Sequence, residues 1–568
     1  MIKQYKTLFI SCFLFIFIFC FLGLPFSNWW FNGDDFSALA LGKNMQTWSS
    51  FLSHVIEGDV AKYFYPSHHQ LYIPYGGKIL QKHNFFCVYY RPIHCIYMAL
   101  AHWLFGLNAY AYYLISVLLH ALNTTLLFNT FTWFSGLVPS LFFALLFALH
   151  PQIGFRFGAP ANFQYYANVL LILLTVISLK YFLDRRRFLF LFFSTFFFTL
   201  ALLTRETVIV FPAILFVSSL LYQKKISWAP VAHGIAALGY LALRISLYPL
   251  ALPTTQSGSL SAILASLPAK ICNRFNEILV FLYDSLTLSW LPYGHKLLRL
   301  SLLTFFAALI FVLFIRNKSK LLLLFLAASY CLMLWPSILG AYSPRYFYEA
   351  SPFLFTFFAV LVGQSTHTFS PLIKKISIFL GGCIICIYAF FAYTNLRCRE
   401  SKLFTMKQAF LALAYNQQIT SGTQPLCFLA FPVDDFGTGI EQAAWLFLTP
   451  ATNLIYYDPS TIITQNDSNI LENAGWHIRC APYYTKNYFT ISKTQTSIRF
   501  TSTDPQKINF VLPDEYLSLG KKTIHQIMPI NGQEVVTDFT LTFDQKYLEQ
   551  NPIIITWDYE QQKFIVHE

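Results

Sequence analysis

Charge is what this sequence lacks most. Only 11% of its 568 residues are Asp, Glu, Lys or Arg, against about 25% in an ordinary soluble domain. Hydrophobic residues reach 56% and mean hydropathy is +0.50, so the chain belongs in a bilayer, with length for many spans and a separate soluble part. Nucleotide-handling signatures are missing as well. There is no P-loop, no GxGxxG fingerprint (Gly437-Thr-Gly439 lacks the third glycine), no GxSxG elbow and no EF-hand. Those absences set aside soluble nucleotide-driven chemistry. No cofactor is implied by the residues. A divalent metal is not indicated, since HExxH is absent and His54, His68, His69 and His83 follow no recognised ligand spacing.

Acidic residues are scarcer than basic ones, 26 against 39, for a formal charge of +13. No basic stripe with interleaved aromatics lies outside the apolar runs, so no nucleic-acid partner is expected. The cations instead cluster in short loops: Arg185–Arg187, Lys224-Lys225, Arg316–Lys320 and Lys374-Lys375. That is the pattern of loops kept on the cytoplasmic side. Of the 11 cysteines, Cys383 and Cys386 have CxxC spacing inside an apolar run, which suits a buried pair of small residues better than a metal or redox site. Cys427 and Cys480, both in the C-terminal part, could pair if it faces an oxidising compartment.

Hydropathy and loop charge together thread the chain. Thr7 to Leu24 follows Lys3 and Lys6 and lacks a small-residue cleavage site before Pro25, so it reads as a signal anchor with a cytoplasmic N-terminus. Residues 27–108 form a first outer loop, with Phe36–Leu41 and Trp48–Ile56 as short interfacial helices. Further spans are expected at 109–133, 137–150, 163–183, 188–203, 208–222, 228–250, 297–315, 321–339, 353–362 and 376–393. The fold class is therefore a mainly α polytopic membrane protein of about eleven transmembrane helices. Residues 1–395 make the membrane domain. Residues 396–568 lose the long apolar runs and turn to strand-like alternation, as in Phe539-Thr-Leu-Thr-Phe and Ile553-Ile-Ile-Thr-Trp, which predicts a C-terminal, mainly β extracytoplasmic domain.

With that threading, the unusual ionisable residues collect on one face: Asp34, Asp35, Arg91, His150, Arg205, Glu206 and Arg345, with Arg244 inside the 228–250 span. Gly33-Asp34-Asp35 is a good helix N-cap sequence. It also places two carboxylates at the membrane edge, where ionisable groups are costly and kept for function. Such a carboxylate can take the proton of an acceptor hydroxyl or amine attacking a sugar carbon. The arginines suit a phosphate, because guanidinium binds it bidentately and stays charged. Each is also compatible with simple interfacial anchoring, and Glu206 with pairing to Arg205.

The order of these pieces resembles a known family. An N-terminal span and the acidic pair are followed by Tyr90-Arg91-Pro92-Ile93, then Leu104-Phe-Gly-Leu-Asn108 and Leu118-Leu-His-Ala-Leu-Asn123. Next come Phe147-Ala-Leu-His-Pro151, Leu203-Thr-Arg-Glu206, Tyr240-Leu-Ala-Leu-Arg244 and Arg345-Tyr-Phe-Tyr348. The set is similar to the GT-C superfamily of polytopic membrane glycosyltransferases, and within it to the protein O-mannosyltransferase and tetratricopeptide-containing O-mannosyltransferase-like branch with its bacterial relatives. The resemblance covers roughly residues 1–395. It implies a polyprenyl- or dolichyl-phosphate sugar as donor and a protein or glycolipid as acceptor, with inverting transfer on the non-cytoplasmic face. Carried over by position, Asp34 is the base and Asp35 its orienting neighbour, while Arg91, Arg205 and Arg345 are donor-phosphate ligands. His150, Glu206 and Tyr346 are substrate contacts. The chain departs from the branch at Phe155 and Tyr165, where relatives carry acids, at Arg205-Glu206 in place of Lys-Glu, and in having no tetratricopeptide tail. Localisation follows as a multi-pass protein of a bacterial inner membrane, or alternatively the endoplasmic reticulum. Two rival functions fit the same composition: a transporter or flippase for lipid-linked sugars, and an inactive scaffold of envelope assembly.

Overall fold

The computed structural model describes residues 2–31, 34–57, 90–150, 160–247, 296–334, 345–365 and 370–414, together with strand segments between 426 and 567. The histidine-rich piece near residue 68, residues 248–295, Phe155 and Cys480 lie outside the described residues, as do the side chains of Asp34, Arg345 and Tyr346. The helices are α1 Ile2–Gly23, α2 Asp34–Asn44, α3 Trp48–Glu57, α4 Pro92–Phe105, α5 Ala109–Phe131, α6 Leu137–Leu149, α7 Phe163–Arg185 and α8 Phe188–Thr204. They continue with α9 Phe211–Gln223, α10 Ala229–Leu247, α11 Lys296–Arg316, α12 Lys320–Met333, α13 Arg345–Ser365 and α14 Pro371–Ala414. Short 3₁₀ turns at Pro160–Asn162 and Glu206–Val210 lead into α7 and α9.

Seven of the described helical stretches are long and apolar enough to cross a membrane: Tyr5–Gly23, Ala109–Phe131, Pro160–Arg185, Glu206–Gln223, Ala229–Leu247, Phe347–Ser365 and Pro371–Thr394. The expectation of about eleven spans is thus met by seven helices on this measure, with α4, α6, α8, α12 and part of α11 as shorter apolar helices. By length and composition the chain is a mostly helical integral membrane protein. Within residues 27–108, the two short helices expected in the first outer loop correspond to α2 and α3, and the loop also contains the apolar α4, which was not expected. The last expected span and the residues that follow it as far as Ala414 form one unbroken 44-residue helix, about 66 Å long at 1.5 Å per residue. Cys383 and Cys386 lie exposed on that helix, not buried in it.

Most apolar burial comes from one contiguous cluster that takes residues from α1, α2 and α4 to α10, and from α12, α13 and α14, with a smaller cluster of Leu323 and Leu326 on α12 against Val360 and Leu361 on α13. Helix α1 is part of the larger one. Its Leu14, Ile18 and Leu22 repeat every four residues and are buried, which is the helical spacing of a single packed face. Ser11 reaches Asn129 of α5 at 3.1 Å, and the Tyr113 hydroxyl donates to the Leu22 carbonyl. Within α13, Pro352 has no N–H to give the Tyr348 carbonyl one turn earlier. The Ser351 hydroxyl supplies that bond instead, at 2.9 Å.

Side-chain contacts sort the helix ends into two sets. At one end, Lys180 lies over the Trp133 and Tyr222 rings, and Asp184 accepts from Tyr222 at 2.5 Å. Gly363 backs onto Ser135, and Asn317 donates to the Leu361 carbonyl at 3.4 Å. The turns carrying Arg185–Arg187, Lys224-Lys225 and Arg316–Lys320 therefore share one end of the bundle. Two of these turns close on non-glycine residues in the left-handed region, Arg186 (φ 57°) and Lys224 (φ 54°), each donating its N–H back to a helix carbonyl.

All strands among the described residues fall between 426 and 567, in two sheets. One has the order β10-β9-β1-β2, with β1 (Leu426–Leu429) parallel to β2 (Ile455–Tyr457) and β9 (Ile553–Asp558), and β10 (Lys563–His567) antiparallel to β9. The other is antiparallel: β3 (Ile463–Gln465), β6 (Ile508–Phe510), β8 (Gln533–Phe543), β5 (Ser497–Ser502) and β4 (Phe489–Lys493), with β7 (Gly520–Ile530) also on β8. Ile553 and Ile555 of β9 bury into the same apolar cluster as the helices. The far part of α14 is tied to the turn after α1. Glu400 accepts the Asn28 N–H at 2.8 Å and pairs with Arg397, whose guanidinium lies over Phe26.

Candidate functional site

The end of the bundle opposite the basic turns collects the buried ions. Helix α2 begins at Asp34, and its second residue, Asp35, is only 2% exposed. One Asp35 oxygen accepts the Ala161 N–H at 3.4 Å, from the 3₁₀ turn that starts α7. Three residues on, Gln164 closes that turn by donating to the Ala161 carbonyl at 3.1 Å. The Gln164 carbonyl oxygen in turn accepts from Arg91 at 2.8 Å. Arg91 precedes Pro92, the first residue of α4, where proline's missing N–H costs nothing. Its other guanidinium edge binds Glu206 in a two-point fork, 3.1 Å from Nε and 2.7 Å from a terminal nitrogen. Asp35, Ala161, Gln164, Arg91 and Glu206 thus form an unbroken chain of contacts across α2, α7, α4 and the 3₁₀ turn before α9.

A second buried ion pair sits beside the first. Arg205 is 2% exposed and meets Glu349 of α13 at 2.9 Å, with its guanidinium carbon 4.0 Å from the Tyr165 ring centre. Glu349 also accepts from Asn168 at 2.7 Å and from Thr207 at 3.0 Å. Burying a carboxylate is tolerable only with this much compensation. Pairing is therefore crossed relative to the sequence expectation: Glu206 binds Arg91, and Arg205 binds Glu349. Glu349 was not singled out, although a lone carboxylate beside a long apolar run is a signal in itself. Gln164, Asn168 and Thr207 gave no such signal, since uncharged polar residues near helix ends are common.

Beneath the ion pairs lies a neutral polar knot. His120 Nε2 is 3.1 Å from the Ala148 carbonyl, which can only accept, so that nitrogen carries the proton. Its Nδ1 then accepts from the Tyr348 hydroxyl at 2.8 Å, and that hydroxyl accepts from Asn123 at 3.0 Å. The knot joins α5, α6 and α13, one residue before Glu349. His150 is 1% exposed, packed against Phe347, Phe355 and Tyr388. It is built into an aromatic wall. Arg345 opens α13, one turn before Glu349, and Tyr346 follows it; Asp34 opens α2. Among the described residues no group of three His, Cys, Asp or Glu side chains gathers as metal ligands.

Among the described residues the two neighbouring groups hold two guanidiniums, Arg91 and Arg205, against three carboxylates, Asp35, Glu206 and Glu349. Both arginines are already neutralised.

Fold and site together define a mostly helical integral membrane protein with a cluster of buried ions at one end. No family model and no curated protein matches the chain. Among solved structures it is similar to ArnT from Cupriavidus metallidurans bound to undecaprenyl phosphate, at 12% identity and a TM-score of 0.42, over 80% of this chain and 89% of that one.

Proposed function

We propose that this chain is an inverting membrane glycosyltransferase of the GT-C type, moving a sugar from a polyprenyl- or dolichyl-phosphate donor to a protein or glycolipid acceptor on the non-cytoplasmic face. Its membrane domain has about eleven spans, and its C-terminal part from residue 396 is a β-rich extracytoplasmic domain. The motif order supports the class. The observation that carries it is the contact chain from buried Asp35 through Ala161 and Gln164 to Arg91, because it links the acidic pair and the phosphate-type cation that such a transfer needs.

In this reading an acceptor hydroxyl or amine attacks the anomeric carbon as Asp34 takes its proton. The carbon–oxygen bond to the lipid phosphate breaks, and the phosphate leaves with the electron pair. Asp35, anchored on the start of α7, holds the first turn of α2 and so fixes Asp34. Arg345 stabilises the departing phosphate, with Arg91 exchanging Glu206 for it, since positive charge near a developing anion lowers the barrier. Arg205 and Glu349 position α13, on whose first turn Arg345 lies.

The test is an assay of membranes carrying the full chain with radiolabelled polyprenyl-phosphate sugars. A transferase moves label from the lipid into a protein or glycolipid product. Consumption of the lipid-linked sugar without a glycosylated product, or movement of intact donor across the bilayer, would replace the proposal with a hydrolase or a flippase.

A further inference from the structure

Away from the ion cluster, α9 and α12 run antiparallel with little side chain between them. The gap is a groove of about 390 Å³, open along one side. Its wall is almost wholly apolar: Val217 and Leu221 on α9, Leu324 and Leu332 on α12, over a floor that includes Ala328 and Ser329. It reaches from Ala213 to Leu221 on one helix and from Leu321 to Leu332 on the other. Those spans correspond to about 12 and 17 Å at 1.5 Å per residue. Half of a hydrocarbon core of about 30 Å is about 15 Å. The groove therefore has the depth of one leaflet.

What lies at its end decides the occupant. Leu221 is one turn before Lys224 and Lys225, and Leu321 follows Lys320 directly, with Lys318 in the same turn. All four lysines are exposed, and none takes part in an ion pair among the described residues. The 14-residue α12 also starts there, at N-cap Ser319, and presents its unpaired N–H groups and positive dipole end. One lipid satisfies both halves of this surface, an acyl chain in the groove and a negatively charged headgroup on the lysines. Basic residues gathered where spans meet the membrane surface favour anionic lipids.

We propose that the α9–α12 groove is a binding site for one anionic phospholipid of the leaflet on the basic side of the bundle. Its headgroup phosphate sits on Lys224, Lys225, Lys318 and Lys320. The lipid wedges two short helices that share little direct packing, at the opposite end of the bundle from Asp35 and Arg91. The site needs the chain to be membrane-embedded and is independent of any sugar chemistry.

Native mass spectrometry of the full chain released from detergent, titrated in parallel with phosphatidylglycerol and phosphatidylcholine of the same acyl chains, tests this. The wild type should retain one phosphatidylglycerol at a roughly tenfold lower lipid concentration than phosphatidylcholine, which corresponds to about 1.4 kcal/mol. The K224Q/K320Q variant should bring the two lipids level. Ala328→Trp, which fills the floor, should lower retention of both lipids at least fivefold. Leu324→Trp, at the exposed rim, repeats that test if the floor variant does not fold. Equal retention of the two lipids by the wild type would overturn the proposal. So would retention unchanged by the lysine and groove variants, or preference for a polyprenyl phosphate over phosphatidylglycerol.

Discussion

Glu349 is 1% exposed and has a guanidinium, an amide and a hydroxyl on its two oxygens. At this scale the outcome of a substitution depends on what is left behind. Glu349→Gln keeps the shape but leaves Arg205 charged and buried, which should cost about 3–5 kcal/mol. The Arg205→Met/Glu349→Met double variant removes both charges and should recover most of that loss. Denaturant unfolding in detergent measures both; a cost for Glu349→Gln below about 1 kcal/mol, or a double variant no better than the single, would contradict the pairing. Individual charges were legible in the sequence because so few interrupt the apolar runs, and Asp35, Arg91, Arg205 and Glu206 do gather at one end. Their partners were not legible. Arg205 and Glu206 are adjacent in sequence, yet the break between α8 and the 3₁₀ turn sends one to α13 and the other to α4, which is a matter of packing and not of spacing.

Helix α2 carries the acidic pair, and its position depends on close approach. A Cβ on Gly42 would lie 2.7 Å from the Met98 carbonyl oxygen and 2.8 Å from the His102 Cβ, so any larger residue pushes α2 off α4. Gly42→Leu should destabilise by about 1–3 kcal/mol through overpacking and reduce sugar transfer, though it touches neither aspartate. Gly239, with nothing within 4 Å of an added Cβ, is the control: Gly239→Leu should leave both measurements unchanged. In the second sheet, Arg499 on β5 grips Asp538 on β8 at 2.6 and 3.0 Å. Hydrogen bonds from Arg499 hold the Asp538 carboxyl below the usual carboxylate range. A depressed acid pKa stabilises above the unfolded value of about 3.9 and loses that contribution as pH falls through the folded value. Protection of the amides in 497–502 and 533–543, taken relative to their intrinsic exchange at each pH, should therefore fall on acidification below about pH 4. Asp538→Asn should lose only a small part of that protection at neutral pH, since Arg499 is half exposed and screened. It should also flatten the pH response. Exchange of the same amides unaltered by Asp538→Asn would count against the pair. Helix positions were broadly visible from apolar runs. The joining of the last span to its following helix as α14 was not, because Arg397, Arg399 and Glu400 end the hydrophobicity without ending the helix.

Over the whole molecule the two ends of the bundle differ in character. One end carries the basic turns and the lysines of the lipid groove. The other carries the buried ion pairs and the start of α2. With positive loops retained in the cytoplasm, single cysteines at Lys225 and Lys318 in a cysteine-free background should be blocked by an impermeant thiol reagent only from the cytoplasmic side. One at Thr47, between α2 and α3, should be blocked only from the other side. Labelling of all three from one side would break the two-ended account. This segregation could be anticipated from loop charge alone, since it needs only the alternation of spans.

The proposed chemistry rests on Asp34 and its neighbour. The most direct measurement is the rate of label transfer from polyprenyl-phosphate sugar in membranes carrying wild type, Asp34→Asn, Asp35→Asn or the double variant at matched protein levels. Loss of a general base predicts a fall of about 10²–10⁴-fold for Asp34→Asn with donor lipid still bound, and a smaller fall for Asp35→Asn, which acts through α2. Full activity in both single variants and in the double variant would contradict the assignment of this pair as the catalytic centre.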